Sequence, residues 1–122
     1  MFGLFGGKDW NVIAVIFERP DLYQLSGQRA KGANATKARD GAKGHPRTIL
    51  WAVFDQKGAY KEGGRGPGAM QISGDVVKRL ERELPTNRSV QEVLKMLETR
   101  ETDRAAKPLV WGGYPRKQAP KD

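Results

Sequence analysis

Residues 26–46 contain no Val, Ile, Leu, Met or aromatic side chain, and this constrains the fold more than any other feature of the sequence. A segment made largely of Gly, Ala, Lys and Arg has little apolar surface to bury and is typical of disordered arms that bind polyanions. Unstructured loops longer than about 15 residues are uncommon inside compact domains and are usually functional or linkers. We therefore predict a long flexible basic loop at residues 26–47.

Two apolar runs flank this loop, at residues 10–17 and 48–54. Both are rich in β-branched and aromatic residues and are too short for typical helices, so we interpret them as the central strands of a sheet. Because neither run alternates with polar residues, both faces of these strands should be covered. Loops, the C-terminal tail or a second copy of the chain could cover the face that the helices leave open.

The segment after the second run is predicted to continue the sheet. Gly58 favours a turn into a short third strand at residues 59–61. The glycine-rich residues 63–68 are predicted to be a loop, and residues 69–72 could form a further short strand. The glycine run lacks the spacing and the terminal Lys-Ser/Thr of a phosphate-binding P-loop, so we interpret it as a connector.

Two amphipathic helices are predicted after this region. Ser73 is a suitable N-cap for a helix over residues 74–84, which ends before Pro85. Ser89 and Glu92 have the spacing of a capping box for a second helix over residues 89–100. These two helices are predicted to form a hairpin on one face of the sheet.

The predicted fold is a single α+β domain over residues 1–114. Its small, mainly antiparallel sheet has three to four strands, with the two-helix hairpin on one face and the flexible basic loop between the first two strands. Residues 109–111 could add an edge strand or a clip over the core. Residues 115–122 are predicted to be a disordered tail.

Residues 69–101 resemble a ribbon–helix–helix DNA-binding module. Met70, Gln71 and Ile72 stand where the ribbon strand of that family would be, and the two predicted helices follow in the family's order. The resemblance implies DNA binding through the ribbon. The same pattern also describes a plain helical hairpin packed on a sheet. We adopt the hairpin because the short ribbon lacks alternating basic residues.

The charge is concentrated in two places. The 122-residue chain has a net charge of +8, and residues 26–47 carry six positive charges and one negative charge. Residues 105–122 carry four positive charges and one negative charge, whereas residues 74–104 are neutral. Such localisation indicates an acidic partner, with DNA or RNA as the first expectation.

The composition also excludes several kinds of site. With no cysteine, the chain cannot form disulfides or thiolate metal sites, and its one histidine, His45, cannot build an all-histidine site. We therefore expect no catalytic residues, no metal, no cofactor, no small-molecule substrate and no enzymatic activity. The longest apolar run is far shorter than a membrane helix, so we expect a soluble, cytoplasmic protein that does not contact membranes.

The sequence predicts a nucleic-acid-binding protein that contacts phosphates largely without regard to sequence. Trp10 and Trp51 lie within the apolar runs and are expected in the core rather than stacked on bases. The alternatives for the loop are a protein-binding arm or an inert insertion. The alternative for the whole chain is an assembly subunit that self-associates through its sheet and binds an acidic protein. The candidate contacts are Arg29, Lys31, Lys37, Arg39, Lys43, Arg47 and Arg65 for phosphates, and Tyr60, Trp111 and Tyr114 for stacking on bases.

Overall fold

The computed structural model describes residues 9–19, 22–99 and 103–109. It contains a five-stranded antiparallel sheet in the order β4-β3-β1-β2-β5. The strands are β1 (Asp9–Arg19), β2 (Leu22–Lys31), β3 (Thr48–Asp55), β4 (Tyr60–Arg65) and β5 (Arg104–Pro108), and the helices are α1 (Ala33–Gly44), α2 (Gly74–Glu83) and α3 (Arg88–Glu98). The α+β class and the two central strands agree with the prediction, whereas the three-to-four-strand sheet with only a two-helix hairpin is wrong.

The predicted flexible loop at 26–47 is also wrong, because β2 and α1 occupy most of it. Strand β2 pairs with β1 in a long hairpin. Gly27 provides room for α3: a Cβ at this position would lie 2.6 Å from Cγ1 of Val93 and 3.0 Å from Cδ1 of Ile13. Backbone pairing and close packing therefore order a segment that has almost no large apolar side chain.

Helix α1 packs on the sheet through alanines. Ala35 is fully buried, and Ala38 and Ala42 pack against Val12, Trp51 and Val53. The spacing of these alanines puts them on one side of a helix with 3.6 residues per turn. Helix α1 thus covers the second face of the central strands, which we had assigned to loops, the tail or another copy of the chain.

The larger core lies on the opposite face, under α2 and α3. It joins alternate residues of β1 and β3 to the apolar sides of both helices, including Val77, Leu80, Val90, Val93 and Leu97. The hydroxyl of Ser73 caps α2 by accepting a hydrogen bond from the amide of Asp75, as predicted. The capping box at Ser89 is wrong: Asn87 caps α3 by accepting from the amide of Val90, and Ser89 lies inside the helix.

Two further local predictions are corrected between β3 and α2. Strand β4 extends to Arg65, so the glycine run begins inside a strand, and Gly64 lies directly against the indole of Trp51. Residues Pro67–Gln71 form a 3-10 turn where we predicted a strand. The ribbon of the ribbon–helix–helix resemblance is therefore missing, and the plain helical hairpin on a sheet remains.

The end of the described chain completes the sheet. Strand β5 lies before the predicted edge strand at 109–111, and Leu109 is buried in the main core. Val110, Trp111 and the predicted tail at 115–122 lie outside the described residues. Among the helices described above, none is long and apolar enough to cross a membrane.

Candidate functional site

A groove of about 1090 Å³ lies beside α1. Its floor is formed by small and polar residues of β1 and β2, and its wall by the side of α1 that bears Asn34, Lys37 and Gly41. Helix α1 covers β1 and β3, whereas the outward residues Arg104, Ala106 and Pro108 of β5 stay exposed. The groove is therefore the uncovered part of the sheet. The floor residues are Ala14, Ile16, Ser26, Gln28 and Ala30.

Small side chains make this groove open. Ala14 and Ser26 are opposite each other in the β1–β2 register, and Gly41 and Ala38 face the groove from α1. None of these residues reaches far from its backbone, so a ligand can approach both the sheet and the helix closely. The Gly, Ala and Ser residues of this segment, which in the sequence are typical of disorder, leave space between the sheet and α1.

Three exposed lysines, Lys31, Lys37 and Lys57, line the groove with no ion pair in the described part of the chain. Lys31 is the last residue of β2, and Lys37 lies on α1. Lys57 and Arg104 add positive charge at the rim, and Asp9, Glu98 and Asp103 add negative charge at the end where β1 begins. Lys31 is opposite Asp9 in the β1–β2 register, at the end that carries these carboxylates, whereas Lys37 lies on α1, so the side of the groove along α1 is positive through Lys37.

Arg29, a predicted phosphate contact, lines the groove, and its guanidinium is engaged by protein partners. Its guanidinium donates to the backbone carbonyl of Leu97 at the end of α3, and lies 3.1 Å from Oδ1 of Asp103. These bonds join β2 to α3 and to the chain that enters β5. With its charge paired, Arg29 is poorly placed to compete for phosphate.

Arg39 is likewise held by protein partners. Its guanidinium contacts Asp40 and Glu62 at 3.1 and 3.2 Å and lies 5.9 Å from the ring centroid of Trp10. Hydrogen bonds to Glu62 and then to Asp40 raise the pKa of Arg39 above its ordinary value. Arg39 therefore joins α1 to β4 through its contact with Glu62.

Arg65 and Tyr60 lie on β4, outside the groove. Arg65 forms a two-pronged ion pair with Glu81 of α2. The ring of Tyr60 packs edge-on against Phe54, with the centroids 5.6 Å apart. Desolvation and the nearby Glu81 and Glu62 raise the pKa of its hydroxyl. The structure does not bring either residue together with the basic residues of α1.

Lys43 and Arg47 are exposed near the end of α1. The ammonium of Lys43 lies 5.1 Å from the ring centroid of Trp51, and Arg47 approaches Glu18 at 4.0 Å. His45 is exposed and its Nδ1 accepts a hydrogen bond from the amide of Arg47. These cations flank the groove on the side of β3. Trp111 and Tyr114 lie outside the described residues.

The two tryptophans of the central strands are core residues, as predicted. Trp51 is buried, and Trp10 is half-buried against the cluster under α1. Their indole rings lie beside the cations Arg39 and Lys43 on the same face of the sheet.

Sequence reasoning missed the polar groups inside the groove. Asn11 is 6% exposed, and its Oδ1 accepts no hydrogen bond from a described residue. Oδ1 of Asp9 and Oγ1 of the buried Thr48 also accept none within the described part of the chain. Gln28 and Asn34 also line the groove. Asn11 lies inside an apolar run, and that interruption is the one signal that could have marked it.

No group of three or more potential metal ligands is found within residues 9–19, 22–99 and 103–109. Comparison with known proteins gave no matching family model, no matching curated protein and no matching solved structure.

Proposed function

We propose that this chain is a non-enzymatic nucleic-acid-binding protein that uses the groove beside α1 for phosphate contacts. The observation that carries the proposal is the position of Lys31 and Lys37: both are exposed and line one groove, and neither is in an ion pair with a described residue. Lysines contact phosphates as point charges and do not read base sequence. The contacts would therefore be largely independent of sequence.

The overall charge supports this proposal. The net charge of +8 attracts a polyanion from a distance, and Lys43 and Arg47 extend the positive surface past the end of α1. Arg29, Arg39 and Arg65 no longer belong to the proposed contact set, because protein carboxylates lie within 3.2 Å of them, whereas Glu18 approaches Arg47 only to 4.0 Å. The proposed contact set is thus Lys31 and Lys37 in the groove, with Lys43 and Arg47 beside it.

The alternative, an assembly subunit that pairs through an apolar sheet face, has lost its main support. That interpretation required an uncovered apolar face. Helix α1 covers one face of β1 and β3, and α2 with α3 covers the other. The part of the sheet that stays open carries the polar Ser26 and Gln28 and the small Ala14 and Ala30, with the apolar Ile16 among them.

A double substitution tests the proposal against a matched control. Lys31→Gln with Lys37→Gln removes two charges from the groove, and Lys78→Gln with Lys95→Gln removes two exposed charges from α2 and α3. Both proteins lose the same net charge, so a general electrostatic effect would weaken them equally.

Titrations with single-stranded and duplex oligonucleotides at several salt concentrations provide the readout. We expect the groove variant to lose affinity, and the slope of log K against log salt to fall by about 0.7 per lost contact on single strands or about 0.9 on duplex DNA. The control should keep a slope close to that of the wild type. Equal losses in the two variants, or no binding by the wild type at low salt, would overturn the proposal.

A further inference from the structure

Gly41 lies inside α1 on the side that lines the groove, and it is exposed. Glycine in the interior of a helix is less stable than alanine. Packing does not require it here, since a Cβ at Gly41 would meet no described atom within 4 Å, whereas a Cβ at Gly27 would lie 2.6 Å from Val93. The open space at Gly41 therefore serves no contact within the described chain and is available to a ligand.

Two exposed side chains that can donate hydrogen bonds flank Gly41 along the groove. Lys37 lies one helical turn before it, and His45, the C-cap of α1, follows one turn after it. Eight residues of helix separate these two donors by about 12 Å. Nδ1 of His45 accepts a hydrogen bond from the amide of Arg47, so the neutral ring carries its proton on Nε2. The ammonium of Lys37 and Nε2–H of His45 are thus both able to donate to an anion.

This part of the groove lies toward the end of α1, away from the start of β1. Helix α1 begins just after Lys31, which is opposite Asp9 at the start of β1. It ends at His45, whose carbonyl accepts a hydrogen bond from the amide of Thr48 at the start of β3. Because β3 is antiparallel to β1, the end of α1 lies beside the far end of β1. An anion at Gly41 is therefore separated from the groove carboxylates that lie where β1 begins.

We propose that the sugar–phosphate backbone of a single-stranded nucleic acid crosses α1 at Gly41, with Lys37 contacting one phosphate and Nε2–H of His45 donating to a following one. The inference rests on the proposed function and adds the strand type and the path of the strand. A glycine allows a ligand backbone to approach the helix closely. Phosphate oxygens accept hydrogen bonds and carry negative charge, and the two flanking groups supply the matching donors.

The height of the groove wall favours a single strand. The wall is one helix high, about 10–12 Å with its side chains. The floor beside it is made largely of small and polar residues, such as Ala14 and Ser26. A duplex is wider than this wall is high and would rest on its top, whereas a single strand can enter between α1 and the open part of the sheet. Contact with Gly41 and with the floor together therefore requires a single strand.

The variant Gly41→Leu tests this path without changing any charge. Leucine is a better helix former than glycine, and its side chain has room in the groove, so the melting temperature should stay the same or rise. The matched control is Thr36→Leu, which places the same side chain on α1 at a position that does not line the groove. A melting temperature lowered in Gly41→Leu but not in Thr36→Leu would show that another part of the chain packs on Gly41, and would overturn the inference.

Titrations with a single-stranded and a duplex oligonucleotide of equal length, at several salt concentrations, measure binding. We expect Gly41→Leu to bind the single strand at least about fivefold more weakly than the wild type, because leucine occupies the path of the strand. The displaced strand also loses Lys37, so the slope of log K against log salt should fall in magnitude by about 0.7 although no charge has been removed. Gly41→Ala should show a smaller loss, and Thr36→Leu should keep the affinity and the slope of the wild type.

The contact with His45 has its own test. His45→Ala removes the second donor and should weaken single-strand binding by at least about twofold. Duplex binding should be the same in the wild type, Gly41→Leu and His45→Ala, because a duplex on top of the wall reaches neither position. Unchanged single-strand binding by His45→Ala would overturn the assigned path at the end of α1.

Each failure has a distinct meaning. Unchanged single-strand affinity in Gly41→Leu would overturn this inference and leave the proposed function to the test with Lys31 and Lys37. Equal weakening of single-strand and duplex binding by Gly41→Leu would overturn the assigned strand type. No binding of the wild type to either oligonucleotide at low salt would overturn the proposed function itself.

Discussion

Arg65 on β4 donates two hydrogen bonds to Glu81 on α2, with Nε to Oε2 at 2.9 Å and Nη2 to Oε1 at 2.8 Å. The pair joins an edge strand to a helix on the main core. The hydrogen bonds from Arg65 lower the pKa of Glu81, and those to Glu81 raise the pKa of Arg65. Both side chains are more than a third exposed, so the pair should contribute no more than about 1 kcal/mol.

We expect Glu81→Gln to lower the free energy of unfolding by up to about 1 kcal/mol at pH 7. The pKa of Glu81 is lower in the folded chain than its ordinary value of 4.5, so its contribution is present above that value and is lost as the pH falls through the folded-state pKa. Denaturant unfolding at pH 7 and at acid pH should show the two proteins converge in acid. Glu98→Gln, at a carboxylate without a described ion pair, is the control and should show no such convergence. A constant difference at all pH values would contradict the assignment.

We expect Gly27→Ala to destabilise the protein by about 1–3 kcal/mol, because the added methyl group overlaps Val93 and Ile13. In a Val93→Ala background the same change should cost clearly less, since the nearest clashing atom is gone. Chemical denaturation of the four proteins of this double-mutant cycle measures the coupling. Additive effects would show that α3 does not approach Gly27 this closely.

We expect alanine substitutions at Gly32 and Gly41 to change the stability of the fold in opposite directions. A Cβ meets nothing within 4 Å at either position, so space does not decide the outcome. Gly32 has a φ of +56°, which alanine adopts at a cost of about 1 kcal/mol or more, whereas Gly41 lies inside α1, where alanine is favoured by about 0.5–1 kcal/mol. Thermal unfolding should show Gly32→Ala destabilised and Gly41→Ala stabilised. A stabilised Gly32→Ala would contradict the described entry into α1.

Substitutions of Lys37 and Arg39 should affect different quantities, the first nucleic-acid binding and the second the stability of the fold. Each substitution to Gln removes one positive charge from α1. Lys37 has no described ion pair, so its loss should reduce the salt slope of binding and leave the melting temperature almost unchanged. Arg39 contacts Asp40 and Glu62, so its loss should lower the melting temperature and leave the salt slope unchanged. Calorimetry and salt titrations of both variants check this, and a reversed assignment would move the binding surface to β4.

The central strands and the helices α2 and α3 could be predicted because large apolar side chains mark them. Helix α1 could not be predicted from such side chains, since alanines make its contacts and Gly32 supplies no side-chain cap. The alanine spacing from Ala35 through Ala38 to Ala42 was a helical signal. It stands among Gly and Lys residues whose density is typical of a loop.

Strand β2 was missed for a different reason. Besides the pairing with β1, its second half depends on neighbours that are distant in sequence: β5 on its outer edge and Val93 above Gly27. A glycine that is needed for close packing looks like a glycine in a loop when only the sequence is read. The sequence alone could not tell which basic residues are in ion pairs for a related reason. The carboxylates that contact Arg29 and Arg39 are Asp103, just before β5, and Glu62 on β4, both distant in sequence.

Strand β5 pairs with the outer edge of β2, although the two strands are far apart in sequence. Arg29 and Asp103, which meet where β5 begins, are 74 positions apart. Closing so long a loop is slower than forming the local β1–β2 hairpin, so a refolding chain should pass through a stage in which β2 has one bare edge. Pulsed amide exchange should show the amides between β1 and β2 protected from exchange before β5 pairs with β2. Bare strand edges recruit other chains unless polar or charged residues discourage it. The polar and charged residues of β2, which made this strand look like a loop in the sequence, would then discourage its bare edge from pairing with other chains.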